Sequence, residues 1–348
     1  MELKNKIYKS GLKSSFIFFG TPEFAAIILE KLIKAGFIPE AVVCNPDQLV
    51  GRKKILTPPP VKSLIIKNEA WNIKIKILQP EKLDSSFIIK VSCFKPDFFI
   101  VSAYGKIIPK EILDIPHLGT IGVHPSLLPK LRGPSPIQTA IINGDKKTGA
   151  SLFMLDEKID HGPILAKREC ELKNENYEEL SKKLAELAAD LAIETLPKWL
   201  REEIKPAPQN ETEATYTKMV KRKDGEINLQ QETAEEIDRK IRALNPEPGT
   251  YLKCQVSRQR HRFQRASLQA GGPPGAASIK YQVVKILKAN LVSDVNKISS
   301  AKEIDNFLIQ EQKLYLKTKK GLLGIETLQP EGKKIMAAKD FINGYLSN

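Results

Sequence analysis

Short apolar runs alternate with amphipathic helical stretches through the N-terminal part of the chain, and that alternation most narrows the folds open to it. Ser15–Gly20, "SFIFFG", reads as a buried strand. "TPEFAAIILEKLIKAG" follows, with Phe24, Ile27, Ile28 and Leu32 at helical spacing and Gly36 as a stop. Further strands are predicted at Glu40–Cys44, Ile75–Leu78, Pro96–Gly105 and Gly149–Leu155, with a polar, proline-rich loop after Cys44 running into a short helix. Strands alternating with helices predict an open, mostly parallel α/β sheet, which binds ligands beyond the carboxyl ends of its strands. "GTPEFA" after the first strand has a single glycine, so no dinucleotide fingerprint is present there.

The pattern then changes. Tyr177–Leu200 is a long amphipathic helix, and "REEIKPAPQNETEATYT" after it is polar with two prolines, as in a linker. A helix is predicted at about Thr233–Leu244, with Thr233 and Glu236 spaced as a capping box. "YQVVKIL", "KLYLKT" and "GLLGIETL" are strand-like and point to a small β domain, barrel or sandwich. The expected division is residues 1–204, a linker at 205–225 and a second domain at 226–348. Within the last, 255–278 carries four Arg within eight residues and ends in Gly, Pro and Ala. This composition shift marks an inserted flexible loop, either a bare hairpin or a basic arm for RNA phosphates.

The net charge is +14, with 30 Lys and Arg against 25 Asp and Glu over residues 1–204 and 25 against 16 over residues 205–348. Such an excess suits a polyanionic partner. A lysine-rich proteome explains it equally well, because 44 of the 55 cations are Lys. The four cysteines form no C-x-x-C, which argues against a zinc site or a disulfide framework and for a reducing interior. No apolar run approaches the ~18 residues of a membrane span. The expectation is a cytoplasmic protein, a monomer, with no metal and no membrane contact.

"GTIGVHPSLLPKLRGPSP", Gly119 to Pro136, starts as a short strand and breaks into a loop stiffened by proline. His124 stands at the strand's end, where an α/β sheet places its ligand site, so it is a candidate for proton transfer. A hydrogen-bonded structural histidine fits that position as well. A second signal, "DEKIDHGPI", offers Asp160, with Gly162 for tight backbone geometry; alone, Asp160 reads equally as a turn residue.

The motifs in order are "FFGTPEFAA", "PDQLVGRKK" leading to "PPPVKSL", "VSAYGKIIP", "VHPSLLPKLRGPSPIQTAIINGD", "TGASLFMLDEKIDHGPIL", "YTKMVKRKDGEIN", "IRALNPEPGTY" and "LQPEGKKIMAAKDFINGY". The set strongly resembles the methionyl-tRNA formyltransferase family, over nearly the whole chain apart from the N-terminal tail and Gln255–Ser278.

The resemblance implies a Rossmann-like α/β domain with a mostly parallel sheet, followed by a smaller OB-like β-barrel domain. It implies formyl transfer from 10-formyltetrahydrofolate to the α-amine of methionyl initiator tRNA. Of the family's catalytic Asn, His and Asp, the His maps to His124 and the Asp to Asp160, whereas the Asn maps to Gly122. The folate is expected beside Tyr104, Gly105, the loop residues Ser126, Leu127, Leu128 and Pro129, and the Asp160–Gly162 turn. The tRNA is expected on the loop at Asn45–Thr57, through Arg52, Lys53 and Lys54. In the C-terminal domain it is expected on Lys317, Lys319, Lys320, Lys333 and Lys334.

Gly122 leaves three readings: an active enzyme with an altered oxyanion site, an enzyme slowed ~10²-fold by a lost donor, or a non-catalytic relative. A glycine N–H or a water in the vacated space would compensate in part. The other motifs favour an active enzyme. Two alternatives are a formyltransferase acting on a sugar-nucleotide amine and a folate- or tRNA-binding protein without catalysis.

Overall fold

The computed structural model describes residues 14–51, 53–68, 74–255, 281–294, 298 and 300–346. The chain divides into two compact units, Met1–Ala140 with Asp145–Met219, and Ile141–Gly144 with Val220–Asn348.

In the first unit β1 (Phe16–Gly20) leads into helix α1 (Glu23–Lys34), then β2 (Ala41–Val43) and a hairpin of β3 (Gln48–Val50) and β4 (Ile55–Thr57). Helix α2 (Pro60–Lys67), β5 (Lys76–Leu78), α3 (Ser85–Ser92) and β6 (Phe98–Ser102) follow, then α4 (Lys110–Leu113), β7 (Thr120–His124) and α5 (Pro136–Asn143), whose residues from Ile141 on are counted with the second unit. The unit continues with β8 (Lys147–Met154), β9 (Ile164–Glu171) and α6 (Tyr177–Leu200). The seven-stranded sheet has the order β5-β2-β1-β6-β7-β8-β9. It is parallel as far as β7; β8 and β9 then run antiparallel.

Both faces of the parallel part are covered, which explains why its strands read as unbroken apolar runs. On one face Ile17, Phe19 and Phe99 pack with Phe87 and Val91 of α3. On the other, Phe16 stacks on Phe98 at 5.1 Å, and Phe98 meets the edge of Trp199 of α6 at 5.5 Å. Phe16 and Phe98, both buried, each stabilise the fold by roughly 1.5–3 kcal/mol. Helix α6 starts at a capping box in which Asn176 and Glu179 satisfy each other's backbone N–H.

Two strand regions escape the sequence pattern. The stretch after Cys44, expected as a loop, forms the β3–β4 hairpin, exposed on both faces and so without a buried stripe. β9 is an edge strand whose outward residues, Lys167, Glu169 and Glu171, are charged. The segment expected as a linker from Lys205 onward is also tied down. Ala207 exchanges backbone hydrogen bonds with Ile164 at 2.7 and 2.9 Å, and Arg132 pairs with Thr215 and Thr217.

The second unit opens with α7 (Ala234–Leu244), capped by Thr233 and Glu236 as the spacing predicts. Strands β10 (Thr250–Gln255), β11 (Tyr281–Leu291), β12 (Lys302–Ile304), β13 (Phe307–Gln310), β14 (Lys313–Lys317), β15 (Leu322–Pro330) and β16 (Met336–Ala337) follow. Among the described residues the sheet order is β10-β11-β15-β14-β13-β12, with β16 on β15, all antiparallel. The expected barrel is thus a curled half-barrel. Ile237 and Ile241 of α7 fill its concave core with Leu252, Ile286, Leu316 and Leu323. Of the Arg-rich stretch, 256–278 lies outside the described residues.

Candidate active site

β7 carries Gly122 and His124 and is buried along its whole length. It lies between β6, where Val101 faces Gly122, and β8, where Phe153 faces Gly122 and Ser151 faces His124. The loop leaving β7 is stapled to β8. Ser151 Oγ donates to the Ser126 carbonyl at 2.7 Å and accepts from Leu128 N–H at 3.0 Å, while Ser126 Oγ donates to the Lys130 carbonyl at 2.6 Å.

This anchoring brings the loop back over His124, which is 5% exposed. Its Nε2 lies 2.9 Å from the Leu131 carbonyl. A carbonyl can only accept, so Nε2 carries a proton and Nδ1 is the nitrogen free to gain or lose one. Nδ1 stands 3.5 Å from Asp160 Oδ2, and the same oxygen accepts Gly133 N–H at 2.7 Å. Leu131 and Asp160 both sit at left-handed φ, 59° and 49°, at a cost of about 1–3 kcal/mol each. Their neighbours hold them there. Leu131 N–H donates to Thr215 Oγ1 at 2.8 Å, and Gln209 Nε2 donates to the carbonyls of Asp160 and Gly162 at 2.9 and 2.7 Å.

His124, Asp160, Gly122 and Gly105 line one cavity of about 1250 Å³. Its walls include Phe24 and Ile27 of α1, Ile137 and Gln138 of α5, Phe153, Leu155, and Tyr177 of α6. The volume exceeds that of an ordinary single-ligand pocket, which suits a reaction between two substrates.

The other expected folate residues do not line this cavity. Tyr104 is 2% exposed, and its ring packs edge-on to Phe19 at 5.5 Å in the core. Burial pushes its hydroxyl up to about 12 and the neighbouring Cys44 thiol up to about 11. Ser126, Leu127, Leu128 and Pro129 belong to the stapled loop, and Leu128 is wholly buried. At Gly162 a Cβ would stand 1.8 Å from the Met154 carbonyl oxygen, so this glycine serves a close backbone approach.

Gly122 differs from expectation in a way that bears on the chemistry. A Cβ there would meet Phe153 Cε1 at 2.5 Å and Leu155 Cδ1 at 2.6 Å. A side chain at this position would therefore meet two apolar side chains that themselves line the cavity. The glycine's backbone, flanked by paired strands on both sides, is committed to the ladders. The glycine N–H is therefore taken by the sheet and does not replace the missing amide.

Of the expected tRNA residues, Arg52 lies outside the described residues. Lys53 and Lys54 are exposed at the tip of the β3–β4 hairpin, beside Leu49, Val50, Ile55 and Leu56, each more than half exposed. The hairpin's base is fixed by Lys62, whose Nζ donates to both Asp47 oxygens at 2.9 and 2.8 Å and to Gln79 Oε1 at 2.8 Å. The Lys62 ammonium holds the Asp47 carboxyl below its usual range. Lys317, Lys319, Lys320, Lys333 and Lys334 are exposed in the second unit.

Sequence reasoning missed Leu131, Arg132, Gly133, Gln209, Thr215 and Thr217, most of which act through backbone groups or from the polar segment that reads as a linker. Among the described residues no His, Cys, Asp and Glu cluster has metal-ligand geometry, and no helix is long and apolar enough to cross a membrane.

A doubly wound sheet, a His–Asp pair at a strand end and a half-barrel second unit define a formyl transferase. Residues 12–196 match the formyl transferase family and 219–346 its C-terminal domain. Over 336 residues the chain is 40% identical to the methionyl-tRNA formyltransferase of Thermodesulfovibrio yellowstonii, covering 96% of each. It is 38% identical to that of Campylobacter lari, over 95% of this chain and 96% of that one. The chain belongs to the methionyl-tRNA formyltransferase family.

Among solved structures, HypX from Aquifex aeolicus in complex with tetrahydrofolic acid matches with TM-score 0.61 at 14% identity, covering 96% of this chain and 48% of that one. The chain thus spans about half the length of HypX. The N-formyltransferase from Helicobacter canadensis, in complex with folinic acid and dTDP-3-aminofucose, matches with TM-score 0.59 at 17% identity, covering 90% and 98%. These two show the fold.

Proposed function

We propose that the chain transfers a formyl group from 10-formyltetrahydrofolate to the α-amine of methionyl initiator tRNA, in the cytoplasm and as a monomer, with His124 and Asp160 as its proton-handling pair. One observation carries the assignment of roles: the two side chains meet at 3.5 Å on the wall of a large cavity, in a chain of this family. The folate supplies the activated formyl carbon. The amine nitrogen bonds to that carbon and gives up one proton while negative charge grows on the formyl oxygen. As the charge collapses, the bond from the carbon to folate N10 breaks, and tetrahydrofolate leaves with the proton on N10.

His124 Nδ1 is suited to both demands. As a neutral imidazole it accepts the proton; as an imidazolium it donates to the developing oxyanion. Asp160 Oδ2 is tied to Gly133 N–H, which leaves Oδ1 for the substrate amine. With glycine at position 122, the site lacks the family's side-chain amide and relies on His124 for this donation. The apolar walls at Phe24, Ile27, Phe153 and Leu155 suit a thioether side chain better than a charged one.

The hairpin supports tRNA as acceptor. Exposed apolar side chains flanked by Lys53 and Lys54 suit an RNA end, whose unstacked bases take apolar contacts while its phosphates take cations. A sugar-nucleotide amine would need neither. The test is a formylation assay with purified protein, 10-formyltetrahydrofolate and charged initiator tRNA. Formyl-methionyl-tRNA is the expected product. A protein that formylates an amino-sugar nucleotide but leaves the charged tRNA untouched would reverse the reading.

A further inference from the structure

We propose that Arg132, clamped by Gln209 and Glu211, is the positioning residue for both His124 and Asp160, so that the segment carrying those two clamps is part of the catalytic machinery. The proposal rests on the function given above for its activity readout alone.

The two residues flanking Arg132 make the contacts that orient the pair. The Leu131 carbonyl takes the His124 Nε2 proton at 2.9 Å, and Gly133 N–H holds Asp160 Oδ2 at 2.7 Å. Arg132 lies between them and is fixed in every direction. Its N–H donates to the Thr215 carbonyl at 2.8 Å, and its carbonyl accepts Thr217 N–H at 2.7 Å. Its side chain is wholly buried. A buried guanidinium is tolerated only when its five N–H groups are satisfied and its charge is paired. Here they are. Nη2 and Nη1 reach the two Glu211 oxygens at 2.6 and 3.0 Å, Nε and Nη2 reach Gln209 Oε1 at 3.1 and 2.8 Å, and Nη1 reaches Tyr216 Oη at 3.1 Å. The Glu211 carboxylate raises the Arg132 pKa further and is itself held below its usual range.

A second route runs through Gln209. Its oxygen is taken by Arg132, and its amide nitrogen holds the carbonyls of Asp160 and Gly162. The turn that presents Asp160 and the loop that presents the Leu131 carbonyl are therefore referenced to one guanidinium. Leu131, next in the chain, holds its left-handed conformation through the bond from its N–H to Thr215 Oγ1.

A buried ion pair that merely stabilises the fold would show the same contacts, so the test must separate the two roles. Glu211 is half exposed, and its side chain can be truncated without opening the core. Glu211→Ala and Gln209→Ala are compared with Glu211→Gln, which keeps the acceptor oxygen and loses the charge. The first readout is the His124 ring by nitrogen-15 NMR, where the Nε2 proton is protected by its bond to Leu131. The second is the split of kcat from KM in formylation. The expected result is loss of Nε2 protection and a fall in kcat of about 10- to 100-fold, as an ångström of misplacement produces. KM for tRNA and folate should move less than threefold, with partial rescue in Glu211→Gln. An unchanged His124 ring signal in both alanine variants overturns the proposal, whatever the activity does. So does a lowered unfolding temperature with kcat intact. If the parent protein formylates no tRNA, the proposed function fails separately, and the ring signal still decides the clamp.

Discussion

Two segments leave the same sheet and are built on opposite plans. The stretch from Pro125 to Pro136, after β7, folds back into the protein and is bonded along its length by Ser151, Thr215, Thr217 and the Asp160 carboxylate. The hairpin from Gln48 to Thr57 is anchored at its base by Lys62 and otherwise stands clear, with Leu49, Val50, Ile55 and Leu56 in solvent. Under the function proposed above, each plan suits a different task. Proton transfer needs groups held to a fraction of an ångström, which demands a loop whose backbone is fully bonded. Meeting a large, charged and deformable RNA needs reach and open cations, and exposure costs little when no reacting atom depends on it.

The largest effects should follow from the bonded loop. His124→Ala should lower kcat by roughly 10²–10⁴-fold, the usual worth of a general acid–base group, and Asp160→Asn by a smaller factor in the same direction. Single-turnover formylation with saturating tRNA is the measurement. A His124→Ala protein within twofold of the parent would remove the imidazole from the mechanism and with it the contrast drawn here.

Gly122 sharpens the same side. Gly122→Asn should not restore activity, because Phe153 and Leu155 already occupy the space. It should destabilise the protein by about 1–3 kcal/mol, as overpacking does, read as a lowered midpoint in urea. Joined to Phe153→Ala, the same change should regain stability over the single variant and gain rate, with a clear coupling energy in the double-mutant cycle. A faster and fully stable single variant would mean that this wall yields more easily than its packing indicates.

The hairpin should respond in binding. Lys53→Ala or Lys54→Ala should raise KM for tRNA a few-fold, lower the slope of log affinity against log salt by about 1, and hold kcat at saturating tRNA. Loss of kcat there would blur the division between a reacting loop and a reaching one.

The smallest effect at neutral pH concerns the core beneath both segments. Tyr104 and Cys44 have folded pKa values of about 12 and about 11, raised by burial from 10.0 and 9.0. In that range the native state keeps protons that the unfolded chain has lost, so stability should fall as pH rises above about 9 and level off beyond the raised values. Unfolding temperature from pH 8 to 11 is the check. Tyr104→Phe, which removes a buried hydroxyl without a hydrogen-bond partner, should flatten the upper part of that slope; an unchanged slope would locate the sensitivity elsewhere.

Local periodicity and local chemistry are what the sequence by itself determined. Buried parallel strands must be continuously apolar, long helices must show a stripe and a cap, and so β1, β6, α6 and the Thr233–Glu236 box were legible. The ordered motifs carried His124 and Asp160 with their family. Only the tertiary structure decided what lies around them. It turned Tyr104 into the core, filled the space at Gly122 with Phe153, and drew a polar, proline-bearing stretch against the loop so that Gln209 and Glu211 could clamp Arg132. These outcomes depend on backbone carbonyls, on contacts between residues about 80 positions apart and on which volume is already taken. None of these leaves a periodic or compositional mark on the chain.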